Sequence, residues 1–173
     1  MRRPGQKKSL TELEQGDPNH AHAYAIALLA RRDYSSRELT KKLEDRGYIE
    51  IAVGPVVEEL LASNKLNDER YGNNVVAYRA RRGQGPARIR SELMRSGLSR
   101  DAIDEAVKGD DAPDFIERAR AVRARKFGPE LPRDWKERSK QARFLQYRGF
   151  STDHIRAVME GDLPDGEPDS DQA

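Results

Sequence analysis

Apolar residues recur along the chain in three blocks that share one internal spacing. Each block has two positions four residues apart, a glycine four residues later, an aromatic residue or leucine directly after it, and two further apolar positions. The blocks are Leu39, Leu43, Gly47, Tyr48, Val53 and Val57; Ile89, Leu93, Gly97, Leu98, Ile103 and Val107; and Gln141, Leu145, Gly149, Phe150, Ile155 and Met159. They lie about fifty residues apart, and only Gln141 breaks the apolar pattern. Such a period is typical of tandem supersecondary units, each too small to bury its own core.

The spacing inside each block predicts helices. Two apolar residues one turn apart, followed by glycine, indicate an amphipathic helix that ends in a left-handed residue. Ser35 with Glu38 has the pattern of a capping box, and Pro86 suits the first turn of a helix. Because no stretch alternates convincingly with period two, no sheet is expected. The sequence predicts an all-α fold of nine helices in three tandem three-helix repeats, forming an elongated, curved array of either hand.

The turns and charge runs between the blocks predict five segments. They are a basic, flexible N-terminal arm over residues 1–16, repeats over 17–65, 66–109 and 110–160, and a disordered acidic tail over 161–173. In the third repeat, the spacing between the basic pair and the helix-ending glycine is eight residues longer than in the other two, because of an insertion around residues 128–132. Gly54-Pro55 falls inside the third helix of the first repeat, so Pro55 either lies within that helix or marks its first turn.

Composition excludes several classes of protein. The 173 residues include no cysteine, so disulfides and thiolate metal sites are absent. No apolar run reaches the roughly eighteen residues of a membrane span, and the N-terminus lacks the apolar core of a secretory signal. We therefore expect a cytoplasmic protein, and we expect it to act as a monomer.

Positive charge is concentrated before the tail. The net charge is only +2, but six acidic residues and no Lys or Arg follow Arg156, so residues 1–156 carry +8. A basic pair recurs in each repeat, and stacked repeats would present these pairs along one edge, which suits a polyanion or an acidic groove. The alternative is an ordinary solvated helix face. The candidate residues for binding DNA or a partner are Arg31, Arg32, Arg79, Arg81, Arg82, Arg88, Arg95, Arg123, Arg125, Lys126 and Arg143.

Other chemistry is sparse in the sequence. Four aromatic residues near the cations could stack on bases, or could be ordinary boundary residues: Tyr34, Tyr78, Trp135 and Tyr147. Gly83-Gln-Gly85 before a helix could cradle an anion, but glycine serves turns so generally that an interhelical turn is favoured. His20 and His22 lack an evident third metal ligand. We assign no catalytic residue, cofactor or metal site, and we expect no enzymatic activity.

Three segments of the first two repeats form a recognisable pattern. They are Tyr34-Ser-Ser-Arg-Glu-Leu-Thr-Lys-Lys-Leu43 with Gly47-Tyr48; Leu66-Asn-Asp-Glu-Arg-Tyr71; and Arg81-Arg-Gly-Gln-Gly-Pro-Ala-Arg-Ile-Arg-Ser-Glu-Leu93 with Gly97. These segments resemble the RecX family, bacterial modulators of the RecA recombinase. The resemblance covers about residues 20–160 and is weaker in the third repeat, where the loop is longer.

The resemblance implies a curved array of three three-helix units that binds in the groove of the RecA–single-stranded DNA filament. It also implies restraint of the ATPase, strand-exchange and co-protease activities of RecA, with effects on recombination, DNA repair and the SOS response, and some direct affinity for single-stranded or double-stranded DNA. One alternative is a stand-alone nucleic-acid-binding protein built from helix-turn-helix-like units. Another is a helical scaffold for a protein partner.

Overall fold

The computed structural model describes residues 9–159, which form ten α-helices and no strand. The all-α prediction is therefore confirmed. The helices are α1 (Glu12–Gln15), α2 (Pro18–Leu29), α3 (Ser36–Arg46), α4 (Glu50–Ala62), α5 (Asp68–Arg81), α6 (Pro86–Arg95), α7 (Arg100–Lys108), α8 (Phe115–Phe127), α9 (Trp135–Arg148) and α10 (Thr152–Met159). The predicted arm lies partly, and the predicted tail wholly, outside the described residues.

Residues 9–159 contain one helix more than the nine predicted, because α1 forms in the segment that was predicted to be a flexible arm. This helix has a capping box, in which the Thr11 hydroxyl accepts from the Glu14 amide and the Glu14 carboxylate accepts from the Thr11 amide at 2.8 Å. A four-residue helix is too short to show an apolar period. It packs against the first repeat, because Leu10 is buried and the Ile49 amide donates to the Gln15 carbonyl at 3.0 Å.

The chain divides into two compact units. Unit one comprises the residues up to 75 together with residues 92–109, and unit two comprises residues 76–91 together with those from 110 onward. The division falls inside α5 and α6, so two of the three helices of the second repeat have residues in both units. The two units are described separately below, and the predicted repeat boundaries remain a prediction.

The core of unit one lies among α2, α3 and α4. Ala21 and Ala25 are fully buried on α2, and their small side chains let α2 approach α4 closely. Leu39, Leu43 and Leu60 are also fully buried, as the apolar pattern predicts for the first two. Burying one such leucine stabilises the fold by about 1.5–3 kcal/mol. The thin, leucine-rich core explains how a chain with so many charges still folds.

Pro55 lies within α4 and does not mark its first turn. The helix begins at Glu50, so the Ile51 carbonyl lies one turn before a residue that has no amide hydrogen to donate. Ile51 is itself exposed at the surface of α4. The structure thus decides the alternative that the sequence left open, because Pro55 lies inside the helix.

The polar residue that breaks the third block has a partner. Gln141 is buried, and its side-chain oxygen accepts from the Arg123 guanidinium at 3.2 Å. The same guanidinium donates to the carbonyls of Pro129 at 2.7 Å and Glu130 at 2.9 Å, both in the longer loop. Burying the Arg123 charge is costly unless its N–H groups are hydrogen-bonded. Gln141, at a position where the other two repeats have an apolar residue, supplies one of the acceptors.

Consecutive repeats contact each other through their second helices. The end of the second helix of one repeat packs against the start of the second helix of the preceding repeat. In unit one, the Ser35 hydroxyl at the start of α3 donates to the Ser96 carbonyl at 2.6 Å, and a Cβ on Gly97 would lie only 2.7 Å from the Arg37 Cβ. The contact pairs the partly positive start of α3 with the partly negative end of α6.

Unit two repeats this contact with backbone donors. The Gly85 amide donates to the Arg148 carbonyl at 2.8 Å, and the Ala87 amide donates to the Gly149 carbonyl at 3.0 Å. Gly149 ends α9 in the left-handed conformation, as predicted, and a Cβ there would lie 2.7 Å from the Arg88 Cβ. The end of α9 therefore packs on the start of α6 in the same way as the end of α6 packs on the start of α3.

We predict that Gly85→Ala destabilises the protein by about 1–3 kcal/mol, the usual cost of overpacking. A Cβ at Gly85 would overlap the Gly149 backbone and the Phe150 nitrogen, and neither can move without separating α6 from α9. Urea denaturation measures the change. The matched control is Gly54→Ala, which meets no atom within 4 Å inside α4 and should stabilise by roughly 0.5–1 kcal/mol. Equal effects of the two variants would contradict the contact.

His154 makes the start of α10 sensitive to pH. Its Nδ1 accepts from the Ser151 amide at 3.2 Å, so the ring is neutral there, with its hydrogen on Nε2. Burial lowers the pKa of His154 below its ordinary value, against the opposing influence of Asp153 and Asp114. Because the folded state disfavours the imidazolium, this group's contribution to stability is complete above the unfolded pKa of about 6.5.

We therefore predict that the free energy of unfolding falls as the pH drops from about 6.5 through the lowered pKa of His154. His154→Gln should remove that part of the pH dependence, since glutamine at this position can still accept from the cap backbone. Urea denaturation between pH 7.5 and 5 compares the two proteins. An unchanged difference between them across this range would reject the assignment.

Candidate nucleic-acid interface

An exposed tyrosine beside two arginines marks the end of α5. Tyr78 is 48% exposed, and Arg82 donates to its hydroxyl at 2.8 Å. The guanidinium carbons of Arg79 and Arg82 each lie 5.5 Å from the centre of the ring. Arg82 can reach the ring because it follows Tyr78 by four residues, about one helical turn. The sequence signal was the run of arginines after this tyrosine, and the structure places the groups together.

A second cationic cluster lies on α8 and α9, around two phenylalanines. Phe127 and Phe144 meet edge to face at 5.3 Å. Lys126 lies 4.4 Å and Arg148 lies 5.1 Å from the centre of the Phe144 ring. Cation–π contacts of this kind hold a charged side chain against an apolar surface without neutralising it. Arg148 was not among the candidates predicted from the sequence.

The two clusters meet at the turn between α5 and α6. A Cβ on Gly83 would lie 3.4 Å from Nη1 of Arg148 and 3.7 Å from Nη2 of Arg125. Arg148 also donates to the Arg82 carbonyl at 3.4 Å. We call this set the basic surface of unit two: Tyr78, Arg81, Arg82, Arg125, Lys126 and Arg148. It arises because the end of α9 docks on the start of α6, which brings α8 and α9 beside the turn.

The cations of this surface lack carboxylate partners in the part of the chain that the structure describes. The ion pairs of α8 and α9 lie elsewhere, between Arg120 and Glu117 at 2.6 Å and between Lys140 and Glu137 at 3.3 Å. Among residues 9–159, no carboxylate lies within 4.0 Å of Arg81, Arg82, Arg88, Arg125, Lys126, Arg143 or Arg148. Adjacent cations of this kind raise a positive potential, which a row of phosphates would neutralise.

A further exposed tyrosine lies on the same unit. Tyr147 is 76% exposed, and the Arg88 guanidinium lies 5.3 Å from its ring centre and donates to its carbonyl at 3.4 Å. Arg143 is also exposed, and its Nε donates to the Ser139 carbonyl at 3.3 Å. Exposed aromatic rings beside arginines are the elements from which single-strand binding sites are built.

The candidates on unit one are arranged differently. Arg32 donates to Glu38 at 3.1 Å, and its guanidinium lies 3.7 Å above the Tyr34 ring. Tyr34 is itself buried, so the interpretation of this tyrosine as a base-stacking platform is not supported. Arg31 and Arg95 are exposed and lie on the same unit.

Arg123 differs from every other candidate, because it is only 2% exposed. Its guanidinium is used inside unit two, where it donates to the carbonyls of the long loop and to Gln141. Its position in a basic helix predicted an accessible charge, and that helix turns Arg123 inward beside Val122. The structure therefore gives no support to Arg123 as a binding residue.

The segments that carried the resemblance form the contact between the first two repeats. Both the Ser36 amide and its hydroxyl donate to Asp68, at 2.7 and 2.6 Å. The Tyr71 hydroxyl donates to Glu38 at 3.2 Å and lies 3.0 Å from the Ser96 hydroxyl. Burial raises the pKa of Tyr71 above its ordinary value. Sequence reasoning missed this network, because Glu38 was expected to reach back to its own helix cap.

The glycine turn and the histidines have structural roles. The Gly85 and Ala87 amides already donate to carbonyls at the end of α9, which favours the turn interpretation over an anion cradle. His20 lies 2.9 Å from the Tyr48 hydroxyl, and His22 lies 3.5 Å from Glu59. In residues 9–159, no three His, Cys, Asp or Glu side chains are grouped as a metal site would need. None of the described helices is long and apolar enough to cross a bilayer.

The fold and the surface together define a class, namely tandem three-helix repeats with a basic surface whose cations have no carboxylate partner among residues 9–159. Comparison with known families identifies it further. The chain matches the family models of the first, second and third three-helix domains of RecX over residues 21–60, 67–107 and 113–159. The chain therefore belongs to the RecX family.

Several relatives match most of the chain. A regulatory protein RecX from Ectopseudomonas mendocina is 43% identical over 137 residues, which is 79% of this chain and 91% of the relative. Another from Halorhodospira halophila is 44% identical over 134 residues, or 78% and 83% of the two chains. A crystal structure of RecX from Lactobacillus salivarius has a TM-score of 0.71 at 18% identity and covers 83% of this chain and 95% of its own, so it shows the same fold.

We predict that Arg125→Ser weakens binding to a fluorescein-labelled oligothymidylate several-fold at low salt. Loss of one phosphate contact should also reduce the slope of log affinity against log salt by about 0.7. Fluorescence anisotropy across an NaCl series measures both quantities. The control is Arg120→Ser, which removes the same charge from the same helix but from a cation already paired with Glu117. Equal losses in the two variants would show that net charge alone matters.

Proposed function

We propose that this protein regulates the RecA recombinase by binding in the groove of the RecA–single-stranded DNA filament. There it restrains ATP hydrolysis, strand exchange and co-protease activity, and so contributes to the control of recombination, DNA repair and the SOS response. Membership of the RecX family supports the proposal, as does the name of its relatives, regulatory protein RecX. The observation that carries it is the basic surface of unit two.

The chemistry of that surface suits a nucleoprotein partner. Phosphates of bound DNA would supply the negative charges that its cations lack among residues 9–159. The exposed rings of Tyr78 and Tyr147 offer stacking positions for unpaired bases, which favours single strands over duplex. A regulator of this kind acts by occupancy and needs no catalytic residue. We propose that it is not an enzyme, and that it works as a monomer in the cytoplasm.

A titration into DNA-stimulated ATP hydrolysis by RecA tests the proposal. We expect the rate to fall as the protein approaches stoichiometry with RecA. The double variant Arg81→Glu, Arg82→Glu should need about tenfold more protein for the same inhibition, because each substitution replaces a favourable interaction with phosphate by repulsion. No change in hydrolysis at stoichiometric excess would reject the proposal.

Two controls separate the contributions to inhibition. Arg118→Glu, Arg120→Glu reverses the same number of charges on α8 outside the basic surface, and it should inhibit nearly as well as the natural chain. If the Arg81 and Arg82 variant retains all binding and inhibition, the interface is purely with protein, and the scaffold interpretation is favoured.

A second candidate function is stand-alone binding of nucleic acid, which the exposed tyrosines beside arginines also favour. If about five phosphates of a single strand are engaged, log affinity should fall with log salt at a slope of about −3.5. Tight, sequence-selective binding in the absence of RecA would favour this function. Weak binding without sequence preference, together with inhibition of RecA, would favour the regulator.

A further inference from the structure

The third repeat carries an apolar cleft between the start of α9 and the end of α10. Its apolar wall consists of Trp135, Ile155 and Met159, and two cations, Arg138 and Arg156, lie at the same cleft. The volume is about 210 Å³. Trp135 is 79% exposed and is the only tryptophan of the chain, so the cleft presents a large uncovered aromatic surface. A cavity of about 150 Å³ can hold benzene, so this cleft has room for a leucine side chain.

The start of α9 differs from the starts of α3 and α6. α9 has 14 residues before its glycine, whereas α3 has 11, and the additional turn brings Trp135 to the surface. At the start of α3 and of α6, the end of another helix packs against the first turn. The additional turn of α9 carries the cleft instead, so its apolar surface lacks the cover that the other two have among the described residues.

We propose that this cleft binds the chain's own acidic segment, with the Leu163 side chain against Trp135. The sequence directly after Met159 is Glu-Gly-Asp-Leu-Pro-Asp, and Leu163 is the only large apolar residue between positions 160 and 173. Asp162 and Asp165 flank it, and neither Lys nor Arg occurs in that segment. An apolar residue between two carboxylates matches an apolar cleft beside two guanidinium groups.

The connection is short enough for this contact. Met159 itself lines the cleft, and its carbonyl accepts from Arg138 at 3.2 Å, which fixes the point from which the segment leaves. Four residues span at most about 14 Å when extended. Leu163 therefore reaches the cleft without any change in α9 or α10, and its local concentration there is high because the link is intramolecular.

The first repeat offers a parallel within the same chain. Leu10, which precedes the helices of that repeat, is buried against them, and a Cβ on Gly47 would lie 3.8 Å from its Cδ1. A leucine from a flanking segment thus already covers one terminal repeat. Terminal repeats need such covers, because each repeat otherwise buries its apolar face against a neighbour. Leu163 would supply the equivalent cover to the third repeat.

Quenching of Trp135 fluorescence by acrylamide tests the contact without DNA or a partner. A chain that stops after Glu160 should show about twofold stronger quenching than the full chain, together with emission at longer wavelength. Leu163→Ser should reproduce both changes. The matched control is Pro164→Ser, which alters the next residue and should leave quenching as in the full chain. Circular dichroism of all four proteins confirms equal helix content.

A synthetic peptide of residues 160–173, added to the shortened chain, should restore protection of Trp135, and the same peptide with Leu163→Ser should not. High salt should weaken the peptide's binding, since the carboxylate–guanidinium attraction is then screened. Unchanged quenching on removal of the segment, or protection that survives Leu163→Ser, would overturn the proposal. So would protection in the full chain that disappears on dilution, because that would identify a second copy as the occupant.

Discussion

The glycine that ends the second helix of a repeat is also the residue that allows this helix to pack against the preceding repeat. Gly97 and Gly149 each bring a helix end against the first turn of another second helix, at a separation that leaves no room for a side chain. Carbonyls from one helix end meet donors at the other start, either the Ser35 hydroxyl or the Gly85 amide. One geometric requirement therefore serves twice, once to stop a helix and once to allow close packing.

Because the apolar core is thin, hydrogen bonds between polar side chains also help to determine how the repeats pack together. Between the first two repeats, Glu38 and Tyr71 form a partly buried network with Ser96. In the third repeat, Arg123 and Gln141 bind the longer loop. A buried network of this kind is stabilising only when its members find partners, so it favours one register of the repeats over others. The apolar positions alone would allow several registers of the repeats.

The basic surface of unit two shows the opposite use of charge. Its cations lie against Phe144 and Tyr78, and these rings position the charges without cancelling them. Elsewhere on α8 and α9, Arg120 pairs with Glu117 and Lys140 pairs with Glu137, each three residues away. Among residues 9–159, the cations beside the turn at Gly83 have no carboxylate partner. Mutual repulsion there reduces stability, and a polyanionic partner would remove it.

The sequence by itself determined the helical class, the repeat and the glycines that end α3 and α9, because these depend on local spacing and backbone conformation. It also showed where arginines are concentrated along the chain, but not which of them are accessible to a binding partner. Arg123 and Arg125 lie two residues apart on one helix, yet one is buried in a network and the other is exposed. Arg148 joined the basic surface only because α9 ends on α6. Such outcomes depend on contacts between residues far apart in the chain, and only the tertiary structure decides which of those contacts form.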